Sequence, residues 1–311
     1  MDFEQRFSTE RACRDYLRQL RWPDGFRCPR CGSTKYWLTS RELYHCVSCG
    51  LQTSVLAGTI LQDTRKPLQL WFRAMWHVTT QKYGANALGL QRVLELGSYS
   101  TAWVWLHKLR RAMVRPGRDH LAEVIEVDEV YIGGEKKPGK HGRGAEGKTL
   151  VIVAAQEDGR KIGRIRLLRI PDFTGERLVN AVKAMAEPGS TVHTDGLRGY
   201  SGLSQAGYIH TITRIKEAVG DDPLPRVHRV AALLKRWLLG TYQGAVEPAH
   251  LDYYLDEFTF RFNRRASRFR GKLFYRLVEQ AVAIDPVPAK EIRGGSQNAK
   301  HNLLWPLESS A

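Results

Sequence analysis

The sequence predicts an α/β chain in which a layered sheet-and-helix domain follows a small metal-held module and a short helical segment. Three observations carry this. Two Cys-x-x-Cys pairs stand near the N-terminus, apolar residues then recur at helical spacing from Arg65 to about Met113, and strand-like runs follow that give way to alternating helix and strand.

Length and charge bound what the chain can do. At 311 residues it can bury one sizeable core and carry one or two accessory modules. Its 48 Lys and Arg against 32 Asp and Glu leave a formal net charge of +16, which attracts polyanions. The longest apolar run, Leu150 to Ala155, is strand-sized and well short of the roughly 20 residues of a spanning helix, so no membrane partner is expected. The polar start, with Asp2, Glu4, Arg6, Glu10 and Arg11, lacks the apolar core of a signal peptide. The expectation is a cytoplasmic protein with five reduced cysteines, in which close cysteine pairs signal metal rather than disulfide.

Residues 1–62 form the first segment, in which an amphipathic helix around Arg11 to Leu20 leads into Cys28-Pro29-Arg30-Cys31 and Cys46-Val47-Ser48-Cys49. Fourteen residues separate the pairs, just short of the usual ribbon spacing, and four thiolates close a tetrahedral zinc site. Gly32 and Gly50 permit the tight turn that aims each pair at one ion, and Tyr36 to Tyr44 supplies ribbon strands. So small a module needs such a staple. Cys13 stands apart, as a packing residue.

Residues 63–120 read as helices at Leu68 to Val78, Ala85 to Leu96 and Thr101 to Met113, the last two joined through a Ser98-Tyr99-Ser100 turn. That pair suggests a helix-turn-helix. Its second helix carries Lys108, Arg110, Arg111 and Arg115, while Trp103, Leu106, Leu109 and Met113 fall at core-facing spacing, so the basic side can lie along double-stranded DNA. A charge run of this kind equally suits a plain solvated face. A second basic stretch, Arg261, Arg264, Arg265, Arg268, Arg270 and Lys272, strengthens the nucleic-acid reading.

Residues 121–284 hold strand-like runs at Glu123 to Ile132, Thr149 to Ala155 and Ile162 to Ile170, a helix at Thr174 to Ala186, strands at Thr191 to Thr194 and Ile209 to Ile215, and then helices. The Gly- and Lys-rich loop Glu135 to Lys148 is a candidate DNA clamp, though a solvated loop reads the same way. The tail, 285–311, reads as loop or disorder.

Phosphodiester chemistry needs carboxylates that converge on hard cations, so acids on neighbouring strands matter most. In Ile125 to Ile132, alternation sets Ile125 and Val127 on one face and Glu126, Asp128 and Val130 on the other. Asp195 ends the strand Thr191 to Thr194 just before Gly196, where an acid is ordinarily a cap.

From about Arg11 to Arg265 the sequence resembles prokaryotic insertion-sequence transposases that carry an N-terminal zinc ribbon ahead of an RNase H-like catalytic domain of the DDE type. The resemblance rests on Glu126-Val127-Asp128-Glu129-Val130-Tyr131-Ile132-Gly133-Gly134, His193-Thr194-Asp195-Gly196 and Leu234-Lys235-Arg236-Trp237-Leu238-Leu239-Gly240-Thr241. It implies that Asp128 and Asp195 are the first and second metal-binding aspartates. The family's third metal-binding residue, commonly Glu, falls seven residues before a lysine; Lys235 matches that lysine, and the third position is His228. The implied set is Asp, Asp, His, Lys. Imidazole is softer than carboxylate, so manganese suits it more easily than magnesium. Asp221, Asp222, Asp256 and Glu257 are nearby acids that could supply the missing charge.

The resemblance further implies a nucleoid-associated DNA transposase. It would bind the inverted-repeat ends of its element through the helix-turn-helix and zinc ribbon, then cut and join strands by two-metal catalysis without a covalent protein intermediate. Asp128 would bridge both magnesium or manganese ions, Asp195 and His228 would each hold one, and Lys235 and Arg236 would contact DNA phosphates. Synapsis of two ends implies a homo-oligomer, at least a dimer. Two other classes stay open, a zinc-ribbon regulator with no chemistry and a nuclease without strand transfer.

Overall fold

The computed structural model describes residues 3–115, 117–133, 148–213, 222–244, 246–269 and 271–295. In chain order the elements are α1 (Phe3–Arg6), α2 (Glu10–Arg21), β1 (Tyr36–Leu38), β2 (Tyr44–Cys46), β3 (Gln52–Thr53), α3 (Leu68–Thr80), α4 (Ala87–Val93) and α5 (Tyr99–Ala112). Then follow β4 (Val124–Ile132), β5 (Thr149–Asp158), β6 (Lys161–Ile170), α6 (Gly175–Lys183), β7 (Thr191–Thr194), β8 (Ile209–Ile212), α7 (Pro225–Tyr242), α8 (Leu251–Phe262), α9 (Gly271–Ala283) and α10 (Ala289–Arg293). Of the predicted strand Ile209 to Ile215, residues 214 and 215 lie outside the described residues, as do 135–147 of the proposed clamp loop, Gly134, Asp221, Arg270 and 296–311 of the tail.

The chain forms two compact units, and the first joins residues 1–116 to 267–294. Its ribbon is an antiparallel sheet in the order β1-β2-β3, with Tyr36 opposite Cys46 and Tyr44 opposite Thr53. Behind it, α2 begins at Thr9, whose hydroxyl accepts the Ala12 N–H, and buries Cys13 and Leu17 on one side, as a helical period requires. Helix α3 starts after Pro67, which offers no side-chain cap. The Glu10 carboxylate takes that role from α2, accepting the Leu68 N–H at 2.7 Å.

Helix α9 packs in this unit, although it follows the five-stranded-sheet segment in sequence. Phe274, Leu277 and Val278 are fully buried, and the Phe274 ring meets those of Phe3, Phe7 and Phe72. The tail is also not loop throughout: α10 forms because Val287 and Ile292 find burial there.

The second unit holds the five-stranded sheet β6-β5-β4-β7-β8. Strand β5 runs antiparallel to β4 and β6, whereas β7 is parallel to both β4 and β8. Three strands thus meander, and two more extend the sheet on the other side of the first, parallel to it. This is an RNase H-like fold. One face packs Val130, Val151, Val153, Ile165 and Leu167 against Leu234 and Leu238 of α7 and Phe258 of α8. The other packs Ile125, Val127, Ile152 and Ala154 against Leu178 and Val182 of α6 and Tyr200. Along the edge of β6, Asn263 accepts the Ile165 N–H (2.7 Å) and donates to the Ile165 carbonyl (3.1 Å), and the Arg265 guanidinium donates to the carbonyls of Gly163 and Ile162.

Candidate active site

Strand β4 is flanked by β5 and β7, so its side chains sit where both faces of the sheet are covered. Its parallel register with β7 sets Val124 opposite Thr191 and Glu126 opposite His193, and the charge of Asp195, just past the end of β7, reaches Asp128. Beyond Thr194 the chain turns through Gly196 at φ +88°, a backbone that resists a side chain, and the Asp195 carboxylate accepts the Leu197 N–H at 2.9 Å. Asp195 is therefore both a local cap and a neighbour of Asp128.

The third group arrives on α7. His228 Nε2 lies 3.2 Å from Asp128 Oδ2, and its Nδ1 lies 2.5 Å from Asp222 Oδ1. What sets α7 there is Glu126, a residue whose role the sequence did not reveal. The helix begins after Leu224, which has no side-chain cap, and the buried Glu126 carboxylate accepts the N–H groups of Arg226 (2.7 Å) and Val227 (3.0 Å). The Arg226 guanidinium meets the other Glu126 oxygen at 2.7 Å and Glu157 at 2.9 Å. The acid beside Asp128 on the same strand thus pins the helix that carries His228. Two helical turns on, about 10.5 Å along the axis, exposed Lys235 recurs on the same face of α7, and Arg236 beside it is also exposed.

Burial holds the Asp128 carboxyl above the usual carboxylate range; the Glu129 N–H and His228 oppose this, and the charge of Asp195 adds to it. Two carboxylates that repel each other beside an imidazole form a donor set that a divalent cation fits, with two hard oxygens and one nitrogen. Among the described residues the trio does not close as tightly as the cysteines, whose ligand atoms all lie within 4.8 Å of one another. Asp256 and Glu257 are committed elsewhere. Glu257 is buried and binds the Tyr242 hydroxyl and Arg261, and Asp256 faces Arg118.

The four cysteines form the zinc-ribbon site. Cys28 Sγ lies 3.6 Å from Cys49 Sγ, and Cys31 Sγ 3.6 Å from Cys46 Sγ. The two knuckles repeat one hydrogen-bond pattern: Gly32 and Gly50 donate to the carbonyls of Cys28 and Cys46, whose own N–H groups donate to Ser33 and Leu51. A site closed by four thiolates is structural.

The basic side chains divide. Arg110, expected on the DNA-facing side of α5, is only 2% exposed and lies beside His107. Helix α5 packs on α4, α9 and α10, so most of its circumference is buried and the two-sided pattern assumed from sequence does not hold. Lys108 is half-buried and donates to the Ile60 carbonyl, Arg111 is half-buried, and Arg115 is exposed. In the second basic stretch, Arg261 serves Glu257, and Arg264 and Arg265 lie over the rings of Phe260 and Phe262.

Two transposase domain families match this chain. Residues 8–52 match the transposase zinc-ribbon domain, and residues 120–263 match the ISXO2-like transposase domain. An uncharacterized protein in transposable element ISH50 of Halobacterium salinarum is 27% identical, over 86% of this chain and 94% of that protein. The solved catalytic core domain of BIV integrase aligns with 50% of this chain and 94% of its own at 14% identity, with a TM-score of 0.32. With both domain models matched in order along one chain, the protein belongs to the insertion-sequence transposases that carry an N-terminal zinc ribbon ahead of a DDE-type catalytic domain.

Proposed function

We propose that this transposase binds the inverted-repeat ends of its element and cuts and joins DNA at Asp128, Asp195 and His228. The observation that supports it most is the meeting of two elements at Asp128: His228 Nε2 on α7 lies 3.2 Å from its carboxylate on β4, and the charge of Asp195, just past β7, bears on the same group. Divalent cations held by these residues would activate the attacking water or terminal hydroxyl and stabilise the leaving oxygen. The residues themselves concentrate negative charge in a half-buried site. Lys235 and Arg236, exposed on α7, hold the DNA backbone against it. In the first unit Arg115 and the zinc ribbon contribute to end binding, and two ends brought together require at least two copies of the chain.

Purified protein incubated with labelled element-end DNA, target plasmid and Mn²⁺ tests this. Cleavage at the element terminus followed by covalent joining to the plasmid is the expected result. Cleavage without joining would leave only a nuclease, and binding without cleavage only a regulator.

A further inference from the structure

We infer that Asp222 is the positioning residue that makes His228 an effective third ligand, the two together replacing the glutamate common in the family. This rests on the ligand assignment proposed above. Asp222 comes just before α7, and its carboxylate is fixed independently of the histidine, because Asp222 Oδ1 accepts the Leu224 N–H at 3.0 Å. The same oxygen lies 2.5 Å from His228 Nδ1, while Nε2 on the far side of the ring faces Asp128 at 3.2 Å.

An imidazole that donates its Nδ1 proton to a carboxylate keeps the Nε2 lone pair, and here Nε2 is the atom that faces Asp128. Asp222 therefore selects the tautomer that can bind a cation at the site and holds the ring at the right angle. It also restores charge. A neutral histidine leaves the site one negative charge short of a glutamate, and the Asp222–His228 pair carries that charge back. Since the side chains are 45% and 41% exposed, water screens much of the charge, and orientation is the larger part of the effect. The ring is held from the backbone side as well, since Glu126 pins the first turn of the same helix.

The test is Mn²⁺ affinity of the zinc-loaded full-length chain, read from the EPR signal of free Mn²⁺, with the His228 tautomer followed by ¹⁵N NMR of the imidazole. Asp222→Ala should weaken Mn²⁺ binding by about 10-fold, the lower end for an outer partner of a metal-bound histidine, and mix the tautomers. Asp222→Asn, nearly isosteric, should lose less, because its amide oxygen still accepts from Nδ1. In a His228→Glu background, Asp222→Ala should change affinity by no more than about twofold, because no ring remains to orient. If Asp222→Ala binds Mn²⁺ like the wild type while His228→Ala does not, Asp222 has no positioning role and the ligand assignment stands. An equal loss from Asp222→Ala in both backgrounds would also overturn the inference, since Asp222 would then act without the histidine. Wild-type affinity in His228→Ala would remove the ligand assignment itself.

Discussion

In the proposed site, His228 is where residue chemistry departs most from a carboxylate triad. A nitrogen ligand suits Mn²⁺ better than Mg²⁺, whereas a carboxylate oxygen suits Mg²⁺. His228→Ala should abolish DNA cleavage with either metal, and His228→Glu should retain or raise the Mg²⁺-supported rate; single-turnover cleavage in each metal measures both. Normal cleavage by the alanine variant would place the third ligand elsewhere. Asp128 and His228 became candidates from the sequence through the family resemblance, which rests on local motifs with fixed spacing; the structure places His228 Nε2 beside Asp128. Glu126 and Asp222 were legible only as acids. Their partners, the first turn of α7 for one and the far side of the imidazole for the other, come from elements that only folding brings together. Arg110 failed for a related reason: helical periodicity separates two faces, and it does not reveal that neighbours cover a helix on nearly every side.

At the scale of elements, two helices among the described residues are capped from a distance. Neither Pro67 before α3 nor Leu224 before α7 offers a capping oxygen, and Glu10 and Glu126 supply one from another element. Such caps leave no signal in the local sequence, although the helices themselves were evident from their periodicity. Glu126 is almost fully buried, and its carboxylate receives two backbone N–H groups and a guanidinium. Glu126→Gln keeps the volume but loses the charge that strengthens these bonds, so it should destabilise the protein by about 1–3 kcal/mol. Thermal unfolding measures the loss, and cleavage should fall with it as the start of α7 loosens; an unchanged melting temperature would mean that the cap contributes nothing. The zinc knuckles present the opposite case, since their spacing is wholly local. Replacing Cys28 and Cys46 together by Ser should eliminate stoichiometric zinc and unfold the ribbon, as elemental analysis and zinc-site absorbance of a Co²⁺-substituted sample would show.

Across the whole molecule, a net charge of +16 on a chain built from a zinc ribbon, a helical segment and an RNase H-like domain predicts binding dominated by phosphate contacts. The logarithm of DNA affinity should fall steeply and linearly with the logarithm of salt concentration, and a flat dependence in band-shift titrations would remove the basic side chains as the binding surface. The measurement closest to the central claim pairs those titrations with single-turnover cleavage of element-end DNA by Asp128→Asn and Asp195→Asn. Each substitution removes one ligand oxygen's charge from the site while leaving the packing of β4 and β7 nearly unchanged. The expected result is end binding equal to the wild type with cleavage slowed by on the order of 100-fold or more. Cleavage near the wild-type rate in either variant would contradict the assignment and mean that the active site lies elsewhere in the chain.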